Sequence, residues 1–405
     1  MTKKTDTPAI RFKGYSDTWE QRKLGEVGET YTGLSGKSKD DFGHGSGKFI
    51  TYMNVFSNPV ASPNMTEAIE IDDSQNKVRF GDVLFTTSSE TPDEVGMSSV
   101  WLENAENTYL NSFCFGYRPT AEFNPYYLAY MLRSSSMRKK ITFLAQGISR
   151  YNISKNKMMD IEMPIPSIDE QKQIGEYFAN LDNLITLHQR KYEKLHNIKK
   201  SMLEKMFPKN GSNVPEIRFK GFTEAWEQRK LGEVGSVSMC RRIFKEQTSE
   251  SGVIPFYKIG TFGGEADAFI SKELFEEYKA KYPYPKKGDI LISASGSIGR
   301  TVEFTGEKEY FQDSNIVWLN HDEHLDNSFL KCFYSVVKWA GIEGSTIKRL
   351  YNDNILNTVI TLPSVAEQKK IGSYFANLDN LITLHQRELE KLQNIKKSML
   401  EKMFV

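Results

Sequence analysis

The chain has 405 residues, with 53 Lys and Arg against 52 Asp and Glu, a formal net charge of +1 and 39% hydrophobic residues. This length accommodates two or three domains, and the composition is that of a folded globular protein rather than a disordered one. The near-neutral charge excludes a protein that coats nucleic acid by charge alone. It still permits a DNA reader whose basic side chains lie on one face, and it equally permits a protein with no nucleic-acid partner.

No membrane or targeting signal is apparent. The sequence has no run of eighteen apolar residues, and Met1–Ile10 is too polar for a signal peptide. Cys114, Cys240 and Cys332 lie far apart, which indicates reduced thiols rather than disulfides or a zinc site. We therefore expect a cytoplasmic protein with no membrane partner and no metal site.

Two blocks of sequence recur almost unchanged. Ile10–Gly28 matches Ile217–Gly235 at fifteen of nineteen positions, with an offset of 207 residues. Glu170–Phe207 matches Glu367–Phe404 at 33 of 38 positions, with an offset of 197. The regions between the blocks hardly resemble each other. The nearly identical blocks suggest two sites for one kind of partner, whereas the divergent regions between them suggest two sites that read different targets.

The divergent regions carry short aromatic and β-branched runs between turn residues, which predict strands of α+β domains. The predicted strands include Lys48–Tyr52, Val83–Thr86, Asp289–Ile292, Val302–Phe304 and Asn315–Trp318. Two shorter helical patterns occupy Tyr126–Lys139 and Leu330–Trp339. Gly43–Lys48 is similar to a phosphate-binding loop but lacks its spacing, so we predict a flexible loop there.

Candidate DNA-contacting residues of the first half lie in loops. Hydroxyls and backbone amides bind phosphates, and Arg or Asn side chains can read base edges. The candidates are Thr86, Thr87 and Ser88 after one strand, Arg150, Tyr151 and Asn152 before the long helix, and Asn54. For the loop at 150–152 a solvated loop is the alternative, and for Asn54 a turn-forming role is favoured over adenine reading.

The second half offers its own candidates at related places. Ser293, Ser295, Ser297 and Arg300 follow a strand, and Lys348 and Arg349 end the loop that precedes the second long helix. Arg241, Arg242 and Lys258 add positive charge to this half. The two halves differ at these positions, as readers of different sequences should.

Each second block predicts one long helix. Ser167 with Glu170, and Ser364 with Glu367, have the spacing of a capping box, and Pro208 ends the first copy. A helix of this size is roughly 57 Å long and needs a partner, for which the other copy is the obvious choice. Apolar residues follow heptad spacing in a coiled-coil seam. The seam is Ile174, Leu181, His188, Leu195 and Met202, then Ile371, Leu378, His385, Leu392 and Met399.

The two seam histidines, His188 and His385, have two possible roles. We favour a polar residue that fixes helix register over a metal or pH-sensing site. An antiparallel helix pair would relate the two halves by a pseudo-two-fold axis and hold them apart by one to one and a half turns of DNA, at about 34 Å per turn. The predicted segments are 1–163 and 209–361 for the domains, with 164–208 and 362–405 for the spacer helices.

Signatures of known catalytic centres fail. Phe123–Tyr127 (FNPYY) lacks the second proline of the adenine-methyltransferase motif, and no metallopeptidase, kinase, hydrolase or nuclease pattern occurs. We therefore predict no catalytic residue, which favours a binding protein.

The repeated motifs resemble those of one family. Trp19–Glu26 (WEQRKLGE), which recurs in the second half, and Pro164–Ile174 (PIPSIDEQKQI), which leads into the long helix, are similar to type I restriction-modification specificity subunits. The resemblance covers the whole chain and rests most on the order of the repeats.

That resemblance implies a non-catalytic subunit that binds double-stranded DNA. It implies two methyltransferase subunits as partners, forming an adenine-N6 methylase that uses S-adenosylmethionine, and two restriction subunits that use ATP and Mg. Each variable domain would read one half of a bipartite, asymmetric target, and no cofactor would bind this chain. Two alternatives stay open on the sequence: a scaffold of two ligand-binding domains, and a variable domain that itself acts on nucleic acid.

Overall fold

A computed structural model describes residues 7–209, 211–339, 341 and 348–405. The chain forms two compact units, one that runs to Gln189 and includes Gln386–Val405, and one formed by Arg190–His385. Each unit combines helices and strands, which confirms the α+β class. Each long helix contributes one part to each unit, whereas the predicted segments set both helices apart from the domains.

The first unit is rich in short strands. In chain order its elements are β1 (Glu20–Lys23), β2 (Gly28–Thr32), β3 (Phe42–Ile50), α1 (Tyr52–Ser57), β4 (Thr66–Ile69), β5 (Val83–Thr86), β6 (Ser88–Ser89), β7 (Ser98–Val100), β8 (Thr108–Leu110), β9 (Cys114–Pro119), α2 (Pro125–Met131), α3 (Ser135–Thr142), β10 (Tyr151–Asn152), α4 (Lys155–Met159), β11 (Glu162–Ile165) and the start of α5 (Ile168–Lys205).

The second unit repeats this plan with local changes. After the end of α5 come β12 (Glu227–Lys230), α6 (Leu231–Val234), β13 (Gly235–Met239), β14 (Ile254–Tyr257), β15 (Phe269–Ile270), α7 (Lys272–Lys281), β16 (Ile290–Ser293), β17 (Thr301–Glu303), β18 (Tyr310–Phe311), β19 (Ile316–His321), α8 (Asn327–Val336), α9 (Asn352–Leu356), β20 (Val359–Leu362) and the start of α10 (Val365–Lys402).

The sheet topology is the same in both units. An antiparallel sheet has the order β2-β9-β5-β7 in the first unit and β13-β19-β16-β17 in the second. A three-stranded sheet has the order β4-β3-β8 or β15-β14-β18, with one antiparallel and one parallel pairing. The strands of the repeated blocks pair as β1-β11 and β12-β20. The divergent sequences thus fold on one common frame.

The central strands β5 and β16 are buried on both faces. Val83 and Phe85 face the core that contains α2, while Leu84 faces a separate cluster around Trp101. In the second unit Ile290 and Ile292 face one core and Leu291 the other. This arrangement explains why these strands are continuous apolar runs without polar alternation.

Several predicted elements need correction. Tyr52 begins α1 instead of ending a strand, because the Thr51 side chain accepts a hydrogen bond from the Asn54 amide and caps the helix. The glycine-rich segment 43–48, predicted to be a flexible loop, lies within β3, where the register with β4 shifts. The pattern at 126–139 is two helices, since Ser134 caps α3 at its start. The pattern at 330–339 is α8, which ends at Val336.

The two long helices form as predicted, with 38 residues each. The capping boxes form only in part. Ser167 Oγ accepts from the Glu170 amide at 3.4 Å, and Ser364 Oγ accepts from the Glu367 amide at 3.4 Å. The Glu170 carboxylate instead accepts two hydrogen bonds from Arg11, at 2.7 and 2.8 Å, and one from Trp19 Nε1 at 3.1 Å.

Parts of α5 and α10 pack together within each unit. In the first unit Lys396 binds Asp182 and Phe404 stacks on Phe178, so the two segments run antiparallel. In the second unit Lys199 binds Asp379. The predicted seam residues are buried at Ile174, Leu181, Ile371 and Leu378 and half-buried at His188, Leu195, Met202, His385, Leu392 and Met399.

Candidate nucleic-acid interface

Two loops predicted to contact DNA are joined in the first unit. Strands β6 and β10 pair antiparallel, with Ser88 opposite Asn152 and Ser89 opposite Tyr151. The turn before β10 is closed by two hydrogen bonds between Gln146 and Asn152, of 3.0 and 2.8 Å. Residues that lie more than sixty positions apart in the sequence therefore form one surface.

The second unit joins its two loops in the same way. Ser295 forms an antiparallel bridge with Arg349, and Gly296 donates a backbone hydrogen bond of 3.2 Å to the Lys348 carbonyl. With the offset of 207, Ser295 corresponds to Ser88, and with the offset of 197, Arg349 corresponds to Asn152. The remaining residues of this candidate loop, 345–347, lie outside the described residues.

Most of the predicted hydroxyl contacts are structural instead. Thr86, Ser88, Ser293 and Ser295 are buried, and Thr87 is half-buried. Thr86 Oγ1 accepts from the Met97 amide, and Thr87 Oγ1 donates to the Phe113 carbonyl. Ser293 Oγ accepts from the Arg300 amide, and Ser295 Oγ donates to Asn315. These hydroxyls shape the loops because buried polar groups must be satisfied internally.

Asn54 is corrected for the same reason. Its side chain is fully buried, donates to the carbonyls of Ser62 and Met65, and accepts from the Ser62 amide and Asn58. All its hydrogen-bonding capacity is used inside the unit. Asn54 organises the loop after α1 and leaves no group to read adenine.

The basic and polar residues at the turn before β10 are accessible. Arg150 and Asn152 are exposed, and Tyr151 is half-buried. The Arg150 guanidinium lies 5.8 Å from the centre of the Phe113 ring, which is itself 55% exposed. This surface therefore combines a charged fork and an aromatic ring, two groups that nucleic-acid readers use.

A second basic surface lies on the other unit. Arg242 and Lys258 line one groove together with Phe244 and Lys245. The Arg242 guanidinium carbon lies 5.8 Å from the centre of the Phe244 ring, and that of Arg241 lies 5.2 Å from the centre of the Tyr282 ring. Lys258 pairs with exposed Asp267 at 2.8 Å, a surface ion pair that a phosphate could replace at little cost.

The loop after β16 is partly accessible. Ser297, Arg300, Lys348 and Arg349 are exposed. Arg300 Nη1 donates to the Phe262 carbonyl at 2.8 Å, which leaves the rest of its guanidinium fork available. The exposed candidates of this unit therefore lie in two groups, one at 297–300 with 348–349 and one in the groove at Arg242 and Lys258.

The sequence did not single out the residues that hold these loops in place. Arg138 donates to the carbonyls of Asp93, Val95 and Gly96 and so fixes the segment that follows β6. Arg133 donates to four carbonyls, one at the start of β7 and three at the end of α1. Burial lowers the pKa of both guanidinium groups to about 10, yet both stay charged at neutral pH. Phe113, an aromatic residue directly after Asn111 and Ser112, offered a local signal.

Groups suited to metal binding or thiol chemistry are sparse in the part of the chain that the structure describes. There, no three His, Cys, Asp or Glu side chains cluster in a way that could hold a metal. All three cysteines are buried, and burial raises the pKa of the Cys240 and Cys332 thiols to about 12. None of the described helices is long and apolar enough to cross a membrane.

Comparison with known protein families shows which family has this repeated architecture. The model of the type I restriction modification DNA specificity domain matches residues 16–197 and again 223–394, which together are most of the chain. The chain belongs to the type I restriction-modification DNA specificity family. It is therefore a DNA-binding specificity subunit, and the resemblance inferred from the repeats is confirmed. This family is non-catalytic in general.

Relatives agree with this assignment. A Haemophilus influenzae protein assigned as a type I restriction enzyme specificity subunit is 46% identical over 262 residues, covering 60% of this chain and 63% of that protein. The MjaVIII specificity subunit of Methanocaldococcus jannaschii is 26% identical over 296 residues, 68% of each chain. The chain thus spans a little under two thirds of the Haemophilus protein's length.

A solved structure shares the fold over the whole chain. The S subunit of a Mycoplasma genitalium type I restriction-modification system superposes with a TM-score of 0.63. The match covers 98% of this chain and 99% of that one at 16% sequence identity. At that identity the likeness concerns the fold and not the bases that are read.

Proposed function

We propose that this specificity subunit reads a bipartite, asymmetric DNA target, with one half-site read by each unit. The observation that carries the proposal is the pairing of loops at equivalent places of a common frame. Ser88 with Asn152 in the first unit and Ser295 with Arg349 in the second occupy matching positions, yet the exposed side chains around them differ. A shared frame with different exposed groups suits two different sequences.

The shape of each surface fits duplex DNA. Exposed arginines and lysines supply the phosphate contacts that dominate affinity, and the loop side chains supply base contacts. Because the net charge of the chain is only +1, binding depends on this local placement of charge. A scaffold for uncharged ligands would have no use for the exposed Arg241, Arg242, Lys348 and Arg349.

We further propose two methyltransferase subunits as partners. The long helices repeat not only their seams but also an exposed apolar pair. Leu184 and Leu187 are 44% and 46% exposed, and their counterparts Leu381 and Leu384 are 44% and 52% exposed. Each pair has the spacing of neighbours on one helix face, and a repeated exposed pair fits two copies of one partner. In this proposal the partners bind S-adenosylmethionine, and restriction subunits add ATP- and Mg-dependent cleavage.

The direct experiment is a genome-wide map of N6-methyladenine in cells that express this chain with a cognate methyltransferase subunit, against cells that lack the chain. A new gapped motif with two different half-sites is expected. Methylation that is the same in both cells, despite a stable complex with an active methyltransferase, would contradict the proposal and favour the scaffold alternative.

A further inference from the structure

We infer that Arg150, held on the ring of Phe113, reads a guanine in the half-site of the first unit. The inference rests on the proposed DNA-reading function and assigns one base contact within it. In the sequence Arg150 is one of several basic residues predicted to lie in loops. The structure distinguishes it because it is exposed, lies in a closed turn and has its guanidinium over the Phe113 ring.

The turn holds the backbone of Arg150 in place. Gln146 and Asn152 exchange backbone hydrogen bonds of 3.0 and 2.8 Å, which closes the intervening residues into a tight turn. Gly147 has φ +145°, and a Cβ there would collide with the Arg150 carbonyl. The turn is therefore specific to glycine at this position, and Arg150 lies exposed within it.

The partner ring is anchored as well. The Phe113 carbonyl accepts from the Thr87 amide at 2.9 Å and from Thr87 Oγ1 at 2.8 Å, and the Phe113 amide donates to Asn111 Oδ1 at 2.9 Å. The ring is 55% exposed, so it is accessible to a ligand. A guanidinium that lies over an aromatic ring keeps its N–H donors free. Phe113 therefore orients Arg150 without using its hydrogen-bond donors.

The charge of Arg150 has no ion-pair partner among the described residues. By contrast, Arg11 and Arg118 bind carboxylates, and Arg133 and Arg138 bind backbone carbonyls. Ile148, at the same turn, is 95% exposed and offers an apolar side chain. An oriented, unpaired arginine on an exposed turn fits the bidentate contact to guanine O6 and N7, the commonest specific arginine contact to DNA.

The internal repeat supplies a comparison within the chain. With the offset of 197, the second half has Ile347 where the first has Arg150, and Ile347 lies outside the described residues. Isoleucine cannot donate hydrogen bonds to guanine. Loss of Arg150 should therefore relax one half-site and leave the other unchanged.

The test uses the complete subunit with its methyltransferase and maps N6-methyladenine for the wild type, Arg150→Ala, Arg150→Lys and Phe113→Ala. Arg79→Ala is the matched control, since Arg79 is an exposed arginine of the same unit on another loop. For Arg150→Ala we expect the preference for guanine at one position of one half-site to fall roughly 10- to 100-fold. This is about the discrimination that one bidentate contact provides. Phe113→Ala should relax the same position less, and Arg79→Ala should leave the motif unchanged.

Several results would overturn the inference while leaving the proposed function intact. One is a wild-type motif whose half-sites contain no G·C pair at which Arg150→Ala relaxes the specificity. Another is a uniform loss of methylation in Arg150→Ala, without relaxation and restored by Arg150→Lys, which indicates a phosphate contact. A wild-type map with no motif at all would instead contradict the proposed function. An unchanged second half-site in every variant serves as the internal check that the subunit is folded.

Discussion

Arg11 and Glu170 are joined by two parallel hydrogen bonds of 2.7 and 2.8 Å, with the Glu170 side chain only 1% exposed. The pair ties the first repeated block to the start of α5. Arg218 and Glu367 repeat it in the second unit with two bonds of 2.7 Å. The two repeated blocks are therefore one structural element in each unit, although some 150 residues separate their members in the sequence.

Breaking this pair should destabilise the unit that contains it. Arg11→Ala leaves the Glu170 carboxylate buried with only Trp19 as a side-chain donor, so we expect a loss of about 3 kcal/mol in the free energy of unfolding. Chemical denaturation measures it. Arg22→Ala is the control, because its exposed pair with Glu26 contributes at most about 0.5 kcal/mol. Equal effects of the two variants would show that burial of the carboxylate is not what matters.

One of the differences between the helical cores of the two units predicts a stabilising substitution. The backbone amides of Asn124 and Asp326 donate to the side-chain oxygens of Gln171 and Gln368, respectively. This equivalence aligns the sequence of α2 with that of α8 and makes Cys332 the counterpart of Tyr130. Tyr130 donates to Asp182 at 2.9 Å, whereas Cys332 borders a cavity of about 130 Å³ next to Asp379. Cys332→Tyr should fill this cavity and stabilise the protein by about 1 kcal/mol, measured as a higher Tm.

The reciprocal variant is the control for that substitution. Tyr130→Cys opens a cavity in the first unit and should cost about 3 kcal/mol. If Cys332→Tyr lowers the Tm as Tyr130→Cys does, the cavity beside Asp379 cannot accept a ring, and the alignment of the two cores is wrong.

The exposed leucine pairs predict the stoichiometry of the partner subunits. Leu184→Asp with Leu187→Asp should reduce the number of bound methyltransferase subunits from two to one, and the same change at Leu381 and Leu384 as well should abolish binding. Analytical ultracentrifugation of the co-expressed complex measures the number. Asn180→Asp with Asn377→Asp adds the same charge on exposed positions of the same helices and should leave two subunits bound. Loss of both partners from a single altered pair would contradict two independent sites.

Gly147 gives a backbone test of the first reading surface. Gly147→Ala cannot keep φ +145° or clear the Arg150 carbonyl, so the turn must open at a cost of about 1–3 kcal/mol. We expect relaxed specificity in one half-site, as for Arg150→Ala, in the methylation map. Gly260→Ala has open space around it and should change nothing. A wild-type motif with Gly147→Ala would show that the turn does not position a reading group.

The sequence predicted the frame far better than the reading surfaces. The repeated blocks, the two 38-residue helices and the β5 and β16 strands follow from local patterns and from internal repetition. Hydroxyl-rich loops misled the prediction, because Thr86 and Ser293 lie at the ends of buried strands, where their side chains satisfy loop backbone. Asn54 was predicted to follow a strand that ends at Tyr52, but Thr51 caps a helix there and the Asn54 side chain is buried.

The positions that matter most for reading depend on contacts that are distant in sequence. Phe113 lies beneath Arg150 only because β6 pairs with β10 and Thr87 holds the Phe113 carbonyl. No local spacing reveals such a pairing. The partner of the Glu170 carboxylate was missed for the same reason, since a capping box is a local pattern and Arg11 is 159 residues away.

The most direct test of the central claim exchanges one reading domain for the other. Residues 29–169 are replaced by residues 236–366, so that both joints lie at matched positions of the repeated blocks, Gly28 with Gly235 and Glu170 with Glu367. The N6-methyladenine map of cells that express this chimera with the methyltransferase subunit is then compared with the wild-type map. We expect a motif in which one wild-type half-site is kept and the other is replaced by a second copy of it. An unchanged asymmetric motif from a folded, methylating complex would contradict the claim that each unit reads its own half-site.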